Sequence, residues 1–379
     1  MNDAHVLAYY ADDPSRSYQL VQWLEVLEGL DVHHRVAIVV RDADVALLFA
    51  KRTSLTVHLA PTFPDLTELY AALDAKVVLY CNNSPLNFQS LVDGQKLHVH
   101  INHGESDKQS MASNNSKAYD RVFVAGSAAV QRHLDGLLEF DPTRLVRIGR
   151  PQLDLRTAHL LAPTTRHTVL YAPTWEGDAD YNDYTSVDTI GPEVVRQILA
   201  VPGARIVYKP HPKVTTSLAP AIQAGHLEIV DLIDAAAARE PDAGHTSVLT
   251  GNILAVMPDC DAMVTDVSSV GLDWLYLCTD KPIIITDRRA DADRFRDEVP
   301  VSRCADVIDE FSVDELSGLL TTRLWRDELH LDRLAMRHFY FDDIQVGDST
   351  VRFLEAVTEL VRLRDHLINA KLHGDAITA

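Results

Sequence analysis

The chain has 379 residues, more than one hydrophobic core usually supports, so we expect two α/β domains of similar size. Its 55 acidic residues outnumber 35 basic ones and give a net charge of −20, which argues against nucleic acid as the main partner. No stretch approaches the roughly 20 uncharged apolar residues of a membrane span. An anionic ligand would have to bind locally, at loops that offer backbone amides, hydroxyls, His or Lys.

The N-terminal sequence MNDAHVLAYYADD lacks the basic and apolar regions of a secretory signal. The cysteines are scattered without the spacing of metal ligands; they are Cys81, Cys260, Cys278 and Cys304. We therefore expect a soluble, cytoplasmic protein with no bound metal.

Short apolar runs recur along the first half of the chain, with helical patterns between them, which is typical of a parallel sheet. The predicted strands are residues 5–10, 34–40, 55–60, 76–81, 96–101 and 121–126. Residues 17–30 predict a helix, and Gly29 suits its end. One face of this helix is apolar and carries Leu20, Trp23, Leu24 and Leu27. These patterns predict an open Rossmann-like domain.

A second series of apolar runs predicts a second sheet, with strands at residues 167–173, 204–210, 226–231, 261–266 and 281–287. Residues 147–166 contain Gly149, Pro151 and Pro163 and lie between the two series, so we place the linker there. Apolar residues at helical spacing from Ser349 to Leu372 predict a C-terminal helix.

Four motifs follow predicted strands at their carboxyl ends, where open α/β sheets bind ligands. In KLHVHINHGESDK (96–108), His103 leaves the strand just before Gly104, where a histidine can accept a proton from a substrate hydroxyl. The alternative is a loop histidine bonded to backbone. For His98 and His100 we favour a structural role, since the spacing lacks a helical His pair or a third metal ligand.

The other motifs offer hydroxyl, amide and cationic groups. In YAPTWEG (171–177), Pro173 interrupts the ladder and Thr174 offers its hydroxyl and amide. In YKPHP (208–212), two prolines hold the chain extended around His211, with Lys209 beside it, a pattern that suits phosphate oxygens or a rigid turn.

The fourth motif is VTDVSSVGLDWLYL (264–277), in which a strand ends at Asp266 and a helix begins after Ser268 and Ser269. Hydroxyls and amides at a helix start form an anion site. Plain N-capping by serine is the alternative, and the two roles are compatible.

With these residues in order, the sequence resembles the CDP-glycerol glycerophosphotransferase family, the teichoic-acid polymerases and primases. The motifs that carry the resemblance are HGESDK (103–108), YAPTW (171–175), KPHP (209–212) and TDVSSVGLDW (265–274). The resemblance implies an α/β GT-B-like fold, with two Rossmann-like domains facing a cleft and a C-terminal helix that crosses back to the first. The corresponding domains are an acceptor-side domain, a nucleotide-donor domain and the helix, at 1–155, 156–345 and 346–379.

The resemblance also implies a reaction that needs neither metal nor cofactor. His103 corresponds to the family's proposed general base, and His211 to the histidine of its KPHP-like motif. The residues expected to bind the donor share the second domain and are Thr174, Lys209, His211, Asp266, Ser268 and Ser269. The residues expected on the acceptor side follow His103 and are Gly104, Glu105 and Lys108. Glu176 stands where many relatives have Arg, which removes one possible phosphate contact.

We therefore expect transfer of a polyol phosphate, with glycerol phosphate favoured, from a CDP-activated donor to an acceptor hydroxyl, with release of CMP. The acceptor is a polyol, a glycan or a lipid-linked molecule of teichoic-acid-like or other cell-surface polymer synthesis. A lipid-linked acceptor would bring the protein to the inner face of the cell membrane as a peripheral partner. The alternatives are an inverting GT-B glycosyltransferase, a sugar-nucleotide epimerase, or a non-catalytic assembly protein that retains the fold.

Overall fold

The apolar runs of the sequence form two parallel sheets in the computed structural model, which describes residues 4–108, 111–177 and 179–373. Each sheet organises one of two units. The first unit comprises Met1–Gly104, Ala112–Leu155 and Tyr340–Ala379, and the second comprises Glu105–Met111 and Arg156–Phe339. The last residues of the expected C-terminal domain, 374–379, lie outside the described residues.

The first unit contains a seven-stranded sheet whose strands are all parallel. Its strands are β1 (Val6–Tyr10), β2 (Val36–Val40), β3 (Thr56–Leu59), β4 (Val77–Tyr80), β5 (Leu97–His100), β6 (Arg121–Val124) and β7 (Leu145–Arg147). They are ordered β3-β2-β1-β4-β5-β6-β7, with the reversal beside β1 that is typical of a Rossmann-like sheet. The six predicted strands of this half are confirmed.

The second unit contains a six-stranded parallel sheet with the order β10-β9-β8-β11-β12-β13. Its strands are β8 (His167–Ala172), β9 (Ala204–Tyr208), β10 (Thr246–Ser247), β11 (Ala262–Thr265), β12 (Ile283–Thr286) and β13 (Asp306–Ile308). The predicted strands beginning at residues 167, 204, 261 and 281 are confirmed. Both sheets are thus built from apolar runs that are buried on their two faces.

Helices connect the strands of each sheet, as parallel pairing requires. In chain order they are α1 (Tyr18–Val21), α2 (Leu24–Asp31), α3 (Ala43–Ala50), α4 (Phe63–Ala72), α5 (Asn87–Ser90), α6 (Ser127–Gly136), α7 (Gly191–Ala200), α8 (Pro220–Arg239), α9 (Ser269–Leu277), α10 (Ala292–Glu298), α11 (Leu316–Trp325), α12 (His330–Phe341) and α13 (Asp348–His373). Over the described part of the chain, no helix combines the length and the apolar character that a membrane span requires.

The predicted strand at residues 226–231 is wrong, because these residues lie inside α8. The buried residues of α8 include Ile222, Ile229 and Ile233, which recur at helical spacing. A six-residue window is too short to distinguish this period from the alternation of a strand. The helix is visible only when the pattern is followed over all of α8.

Three short edge strands were not predicted. β7 and β13 have three residues each and β10 has two, and their residues are mostly half-buried. These three strands pair on one side only, are very short and bury little apolar surface, so they leave no apolar run in the sequence. The sequence therefore predicts the central strands and the edge strand β3, but not the three shortest edge strands.

The predicted helices of the first unit are confirmed, with one change of boundary. The helix over residues 17–30 forms as α1 and α2, and Gly29 lies inside α2 rather than at its end. The C-terminal helix forms as α13 and packs its apolar face into the core of the N-terminal sheet. There Phe353 is fully buried, with its ring 5.4 Å from the ring of Trp23 and 6.1 Å from that of Phe123.

We predict that Phe353→Ala will destabilise the first unit by about 3–5 kcal/mol, the usual cost of removing a buried aromatic ring from a packed core. Leu372→Ala is the matched control, because Leu372 lies on the same helix and is 74% exposed. Chemical denaturation of both variants measures the difference in free energy of unfolding. Equal stability of the two variants would show that α13 does not hold the sheet.

Candidate active site

The second unit brings three of the four motifs to one edge of its sheet. β9, β8 and β11 are adjacent and parallel, so the segments that follow them leave the sheet side by side. The backbone N–H of His211, after β9, donates to the carbonyl of Pro173, after β8, at 2.9 Å. Three motif segments are therefore neighbours at the carboxyl ends of the strands, where parallel sheets bind ligands: KPHP, YAPTW and Asp-x-Ser-Ser.

Asp266 joins these segments through its carboxylate. Its Oδ2 accepts the backbone N–H of Thr174 at 2.7 Å, and its Oδ1 accepts the hydroxyl of Thr286 at 2.6 Å. The side chain is buried, and this burial raises the pKa of Asp266 to about 6, against hydrogen bonds from Ser186, Thr286 and Thr174 that lower it. The geometry gives Asp266 a positioning role, because both oxygens hold neighbouring strand ends.

Thr174 is fixed from several sides. Its N–H is held by Asp266, and its carbonyl oxygen accepts the hydroxyl of Thr185 at 2.8 Å. Its Oγ1 lies 3.4 Å from the Nζ of Lys108. The short segment Glu105–Met111 belongs to the second unit, so Lys108 and the buried Glu105 lie in the same unit as Thr174, whereas Gly104 belongs to the first unit.

Lys209 is a buried cation, with only 4% of its surface exposed. Its backbone N–H continues the ladder to Tyr171 at 2.9 Å, which fixes the start of the KPHP segment. Within the described residues, no carboxylate lies at ion-pair distance from its ammonium group, and burial lowers its pKa. Burying a charge without a counter-ion costs free energy, so an anionic ligand bound to this ammonium would stabilise it.

His211 is held in one orientation and one neutral tautomer. Its ring stacks on Trp175 at 6.0 Å, and the Nζ of Lys213 lies 3.8 Å from the centre of the same indole. The backbone N–H of Lys213 donates to the Nδ1 of His211 at 3.2 Å. Because Nδ1 accepts this hydrogen bond, the neutral ring carries its proton on Nε2. His211 is thus set up as a hydrogen-bond donor through Nε2.

The start of α9 provides hydroxyls and backbone amides. Ser268 is the N-cap residue in an extended conformation, and its side chain makes no capping hydrogen bond; its Oγ lies 3.5 Å from the hydroxyl of Thr265. Ser269 is the first residue of the helix. The first-turn amides are therefore not satisfied by the cap side chain, and the positive end of the helix dipole suits an anion there.

In the first unit, Asn102 turns the chain so that His103 leaves β5. Asn102 has φ +54°, the left-handed conformation that Asn tolerates better than most residues. The indole N–H of Trp23 donates to its carbonyl at 2.6 Å, and its Oδ1 accepts the N–H of His103 at 2.8 Å. The ring edge of Tyr18 packs against His103, with 6.1 Å between centres.

His103 carries the opposite tautomer to His211. Its Nδ1 lies 3.1 Å from the carbonyl oxygen of Cys81, and since a carbonyl only accepts, Nδ1 must hold the proton and Nε2 the lone pair. Burial lowers the pKa of His103 to about 4; the hydrogen bond to Cys81 opposes this shift and the charge of Arg150 adds to it. The imidazole is therefore neutral near pH 7, with Nε2 as its basic atom.

His98 and His100 have structural roles, as predicted. The ring of His98 bridges the hydroxyl of Tyr80 at 2.7 Å and the carbonyl of Asp93 at 2.9 Å. His100 is buried and stacks on Tyr119 with 5.2 Å between ring centres. Among the residues that the structure describes, no group of three or more His, Cys, Asp or Glu side chains is arranged to hold a metal ion.

Sequence reasoning missed the residues that follow β12. Arg288 binds both carboxylate oxygens of Asp188, lies 3.3 Å from Asp183, and donates to the carbonyl of Thr185 at 2.7 Å. It therefore holds the loop that follows YAPTW. The sequence signal was available, because Arg288 and Arg289 follow the apolar run IIIT (283–286) after a single residue, Asp287.

Glu176 is an acceptor where an arginine would have been a donor. It accepts a hydrogen bond from the hydroxyl of Ser217, and its Oε2 is buried with no hydrogen-bond partner in the described part of the chain. Glu176 therefore brings a carboxylate, not a cation, to the segment that follows β8.

Solved structures share the two-sheet architecture. The wall teichoic acid polymerase TagF matches with a TM-score of 0.59 at 12% identity, over 95% of this chain and 90% of that chain. A glycosyltransferase from Rickettsia africae matches with a TM-score of 0.57 at 11% identity, over 95% of this chain and 99% of that chain. Anabaena Alr3699/HepE, solved in complex with UDP and glucose, matches with a TM-score of 0.55 at 11% identity, over 93% of this chain and 99% of that chain. At these identities the likeness shows the fold alone, which is GT-B-like, as predicted.

A family model described as CDP-glycerol:poly(glycerophosphate) glycerophosphotransferase matches residues 91–355. That range is more than half of the chain and contains all four motifs, so the protein belongs to this family. It is a glycerophosphotransferase-like enzyme, as the resemblance implied. No curated protein sequence matches the chain.

We predict that His103→Gln will make stability less sensitive to acid between about pH 6.5 and pH 4. The folded protein keeps His103 neutral to a pKa of about 4, whereas the unfolded chain binds a proton there near pH 6.5. The unfolded state thus holds more protons in this window, and wild-type stability falls as the pH falls. Melting curves across the window measure the slope.

The control for this experiment is His33→Gln, which makes the same replacement at an exposed histidine. A wild-type slope retained in His103→Gln would show that the imidazole of His103 is not kept neutral by the fold.

Proposed function

We propose that the enzyme transfers glycerol phosphate from CDP-glycerol to an acceptor hydroxyl, forming a phosphodiester and releasing CMP. The observation that carries the proposal is the buried ammonium of Lys209, which lacks a counter-ion within the described residues and lies at a ligand-binding sheet edge. A donor diphosphate supplies that counter-ion. A TagF structure was determined after a soak with CDPG, and that protein has the same fold.

The donor site consists of Lys209, His211 and the start of α9. Lys209 supplies positive charge, His211 offers its Nε2–H, and Ser268 and Ser269 offer hydroxyls and amides. These groups are of the kind that stabilise charge as a phosphoryl group is transferred. Asp266 acts indirectly, because it holds the amide of Thr174 and the hydroxyl of Thr286.

The general base is His103. Its Nε2 holds the lone pair, and its ring is neutral at working pH, so it is ready to accept the proton of the acceptor hydroxyl. The acceptor oxygen attacks the phosphorus that bears glycerol, and the bond from this phosphorus to the bridging oxygen breaks. CMP leaves with that oxygen, and the acceptor proton stays on His103 until it passes to solvent.

The acceptor is a hydroxyl of a polyol, a glycan or a lipid-linked molecule that belongs to a teichoic-acid-like or other cell-surface polymer. A lipid-linked acceptor would bring the enzyme to the inner face of the membrane. Incubation with each acceptor class and CDP-glycerol, followed by chromatography of products, tests the function. Release of CMP with loss of CDP-glycerol supports it.

The comparison is the same incubation with nucleotide sugars in place of CDP-glycerol, and two outcomes would overturn the proposal. Release of an intact nucleoside diphosphate from a nucleotide sugar would make the protein a glycosyltransferase, because the attack would then be at a sugar carbon. Binding of nucleotide without turnover in the presence of any acceptor would indicate a non-catalytic assembly protein.

We predict that His103→Ala will lower kcat by about 10²–10⁴-fold, the usual contribution of a general base. The Kd for CDP-glycerol should change by no more than a few-fold, because the base acts on the acceptor. Steady-state kinetics and calorimetric titration measure the two quantities. Normal turnover in a folded variant would remove His103 from the mechanism, and loss of the melting transition would show a structural role instead.

We predict that His211→Ala and Ser269→Ala will each weaken CDP-glycerol binding by about 1–3 kcal/mol, the worth of a charge-assisted hydrogen bond. Both groups are assigned to the same diphosphate, so the double variant should lose less than the sum of the two. Calorimetric titration of the three variants measures their affinities for CDP-glycerol. Thr321→Ala is the control, because Thr321 is exposed on α11 and its hydroxyl donates to a carbonyl of the same helix. Unchanged affinity in both single variants would refute the donor-site assignment.

A further inference from the structure

Two cationic side chains contact one buried aromatic ring beside the donor site. The Nζ of Lys108 lies 5.7 Å from the centre of the Tyr184 ring, and the guanidinium carbon of Arg289 lies 4.6 Å from it. Tyr184 is 4% exposed, so the surrounding packing holds its ring in one position. The two cations come from distant parts of the chain, the Glu105–Met111 segment and the segment that follows β12.

Lys108 links this ring to the donor-side residues. Its Nζ also lies 3.4 Å from the hydroxyl oxygen of Thr174. Thr174 is in turn held by Asp266 through its backbone N–H. The same edge of the sheet carries Lys209 at the end of β9, next to β8. The lysine five residues after the general base therefore lies with the groups assigned to the donor.

Arg289 differs from its neighbour Arg288 in its partners. Arg288 is bound to the carboxylates of Asp188 and Asp183. Arg289 is exposed and donates from Nη2 to the carbonyl of Tyr181 at 3.0 Å, and within the described residues no carboxylate lies at ion-pair distance from its guanidinium. Among the described residues, carboxylates neutralise Arg288, whereas Arg289 contacts a carbonyl oxygen and an aromatic ring.

Both side chains are cations and both lie within cation–π distance of the same ring. An anion bound beside Tyr184 would therefore be attracted by two positive charges. Glu176 cannot supply a positive charge at the exit of β8, so cations from elsewhere in the chain are needed to meet a diphosphate.

We propose that Lys108 and Arg289, positioned by Tyr184, are ligands of the donor diphosphate and extend the site formed by Lys209, His211 and α9. The inference rests on the proposed function and deepens it. Lys108 then serves the nucleoside diphosphate rather than the acceptor. The segment that begins with the general base thus also carries a donor contact.

The test is calorimetric titration of CDP-glycerol, CDP and inorganic pyrophosphate into Lys108→Met and Arg289→Gln, together with steady-state kinetics. Each variant should bind all three anions about tenfold more weakly, the effect of losing one charge-assisted contact. KM for the donor should rise, whereas KM for the acceptor should stay as in the wild type. Because Lys108 is only partly buried and Arg289 exposed, both variants should fold, which melting curves check.

The matched control is Arg294→Gln, which removes one positive charge nearby in the same unit from an exposed arginine paired with Glu298 at 2.7 Å. It should bind all three anions as the wild type does. Tyr184→Leu removes the ring and should weaken binding at least as much as either cation variant; if it fails to fold, Lys108→Met and Arg289→Gln decide.

Two results would overturn the inference. One is wild-type affinity for CDP-glycerol and pyrophosphate in both cation variants. The other is an unchanged donor KM with a raised acceptor KM in Lys108→Met, which would place Lys108 with the acceptor. Failure of the proposed function gives a different pattern: CDP-glycerol is not turned over by the wild type, while pyrophosphate binding still depends on Lys108 and Arg289.

Discussion

Three strand ends of the second unit depend on one buried carboxylate. Asp266 accepts the amide of Thr174 and the hydroxyl of Thr286, so it joins the ends of β8, β11 and β12 in one arrangement. Burial raises its pKa to about 6, which shows that the hydrogen bonds do not fully offset the cost of removing this charge from water. The fold bears that cost at the sheet edge where the diphosphate is proposed to bind.

The sequence predicts the central strands well, because strands buried on both faces need continuous apolar runs such as HRVAIVV and KPIIITD. It also predicts which residues follow them, so Lys209, His211 and Ser268 are found without a structure. It fails at β10, where two residues complete the edge, and at residues 226–231, where a short apolar run belongs to α8. An apolar run this short does not distinguish the period of a helix from that of a strand.

Tertiary contacts account for the part of the site that sequence reasoning did not find. Lys108 follows His103 closely in the chain, so it was placed with the acceptor groups, yet it contacts Thr174 and Tyr184. Tyr184 itself lies in a loop with no motif around it. Its proposed role comes from being buried beside Arg289, and no spacing along the chain reveals that contact.

The opposite tautomers of His103 and His211 have a consequence for isosteric replacement. Glutamine carries its amide group near the place of Nε2 in histidine and can turn either its N–H₂ or its carbonyl oxygen to a partner. At His211, where the ring offers Nε2–H, the amide nitrogen reproduces the donated hydrogen bond. At His103, where the proposed mechanism requires Nε2 to take up a proton, the amide oxygen receives a hydrogen bond but is too weak a base to hold the proton. One chemical replacement thus mimics one histidine and disables the other, which separates recognition from proton transfer.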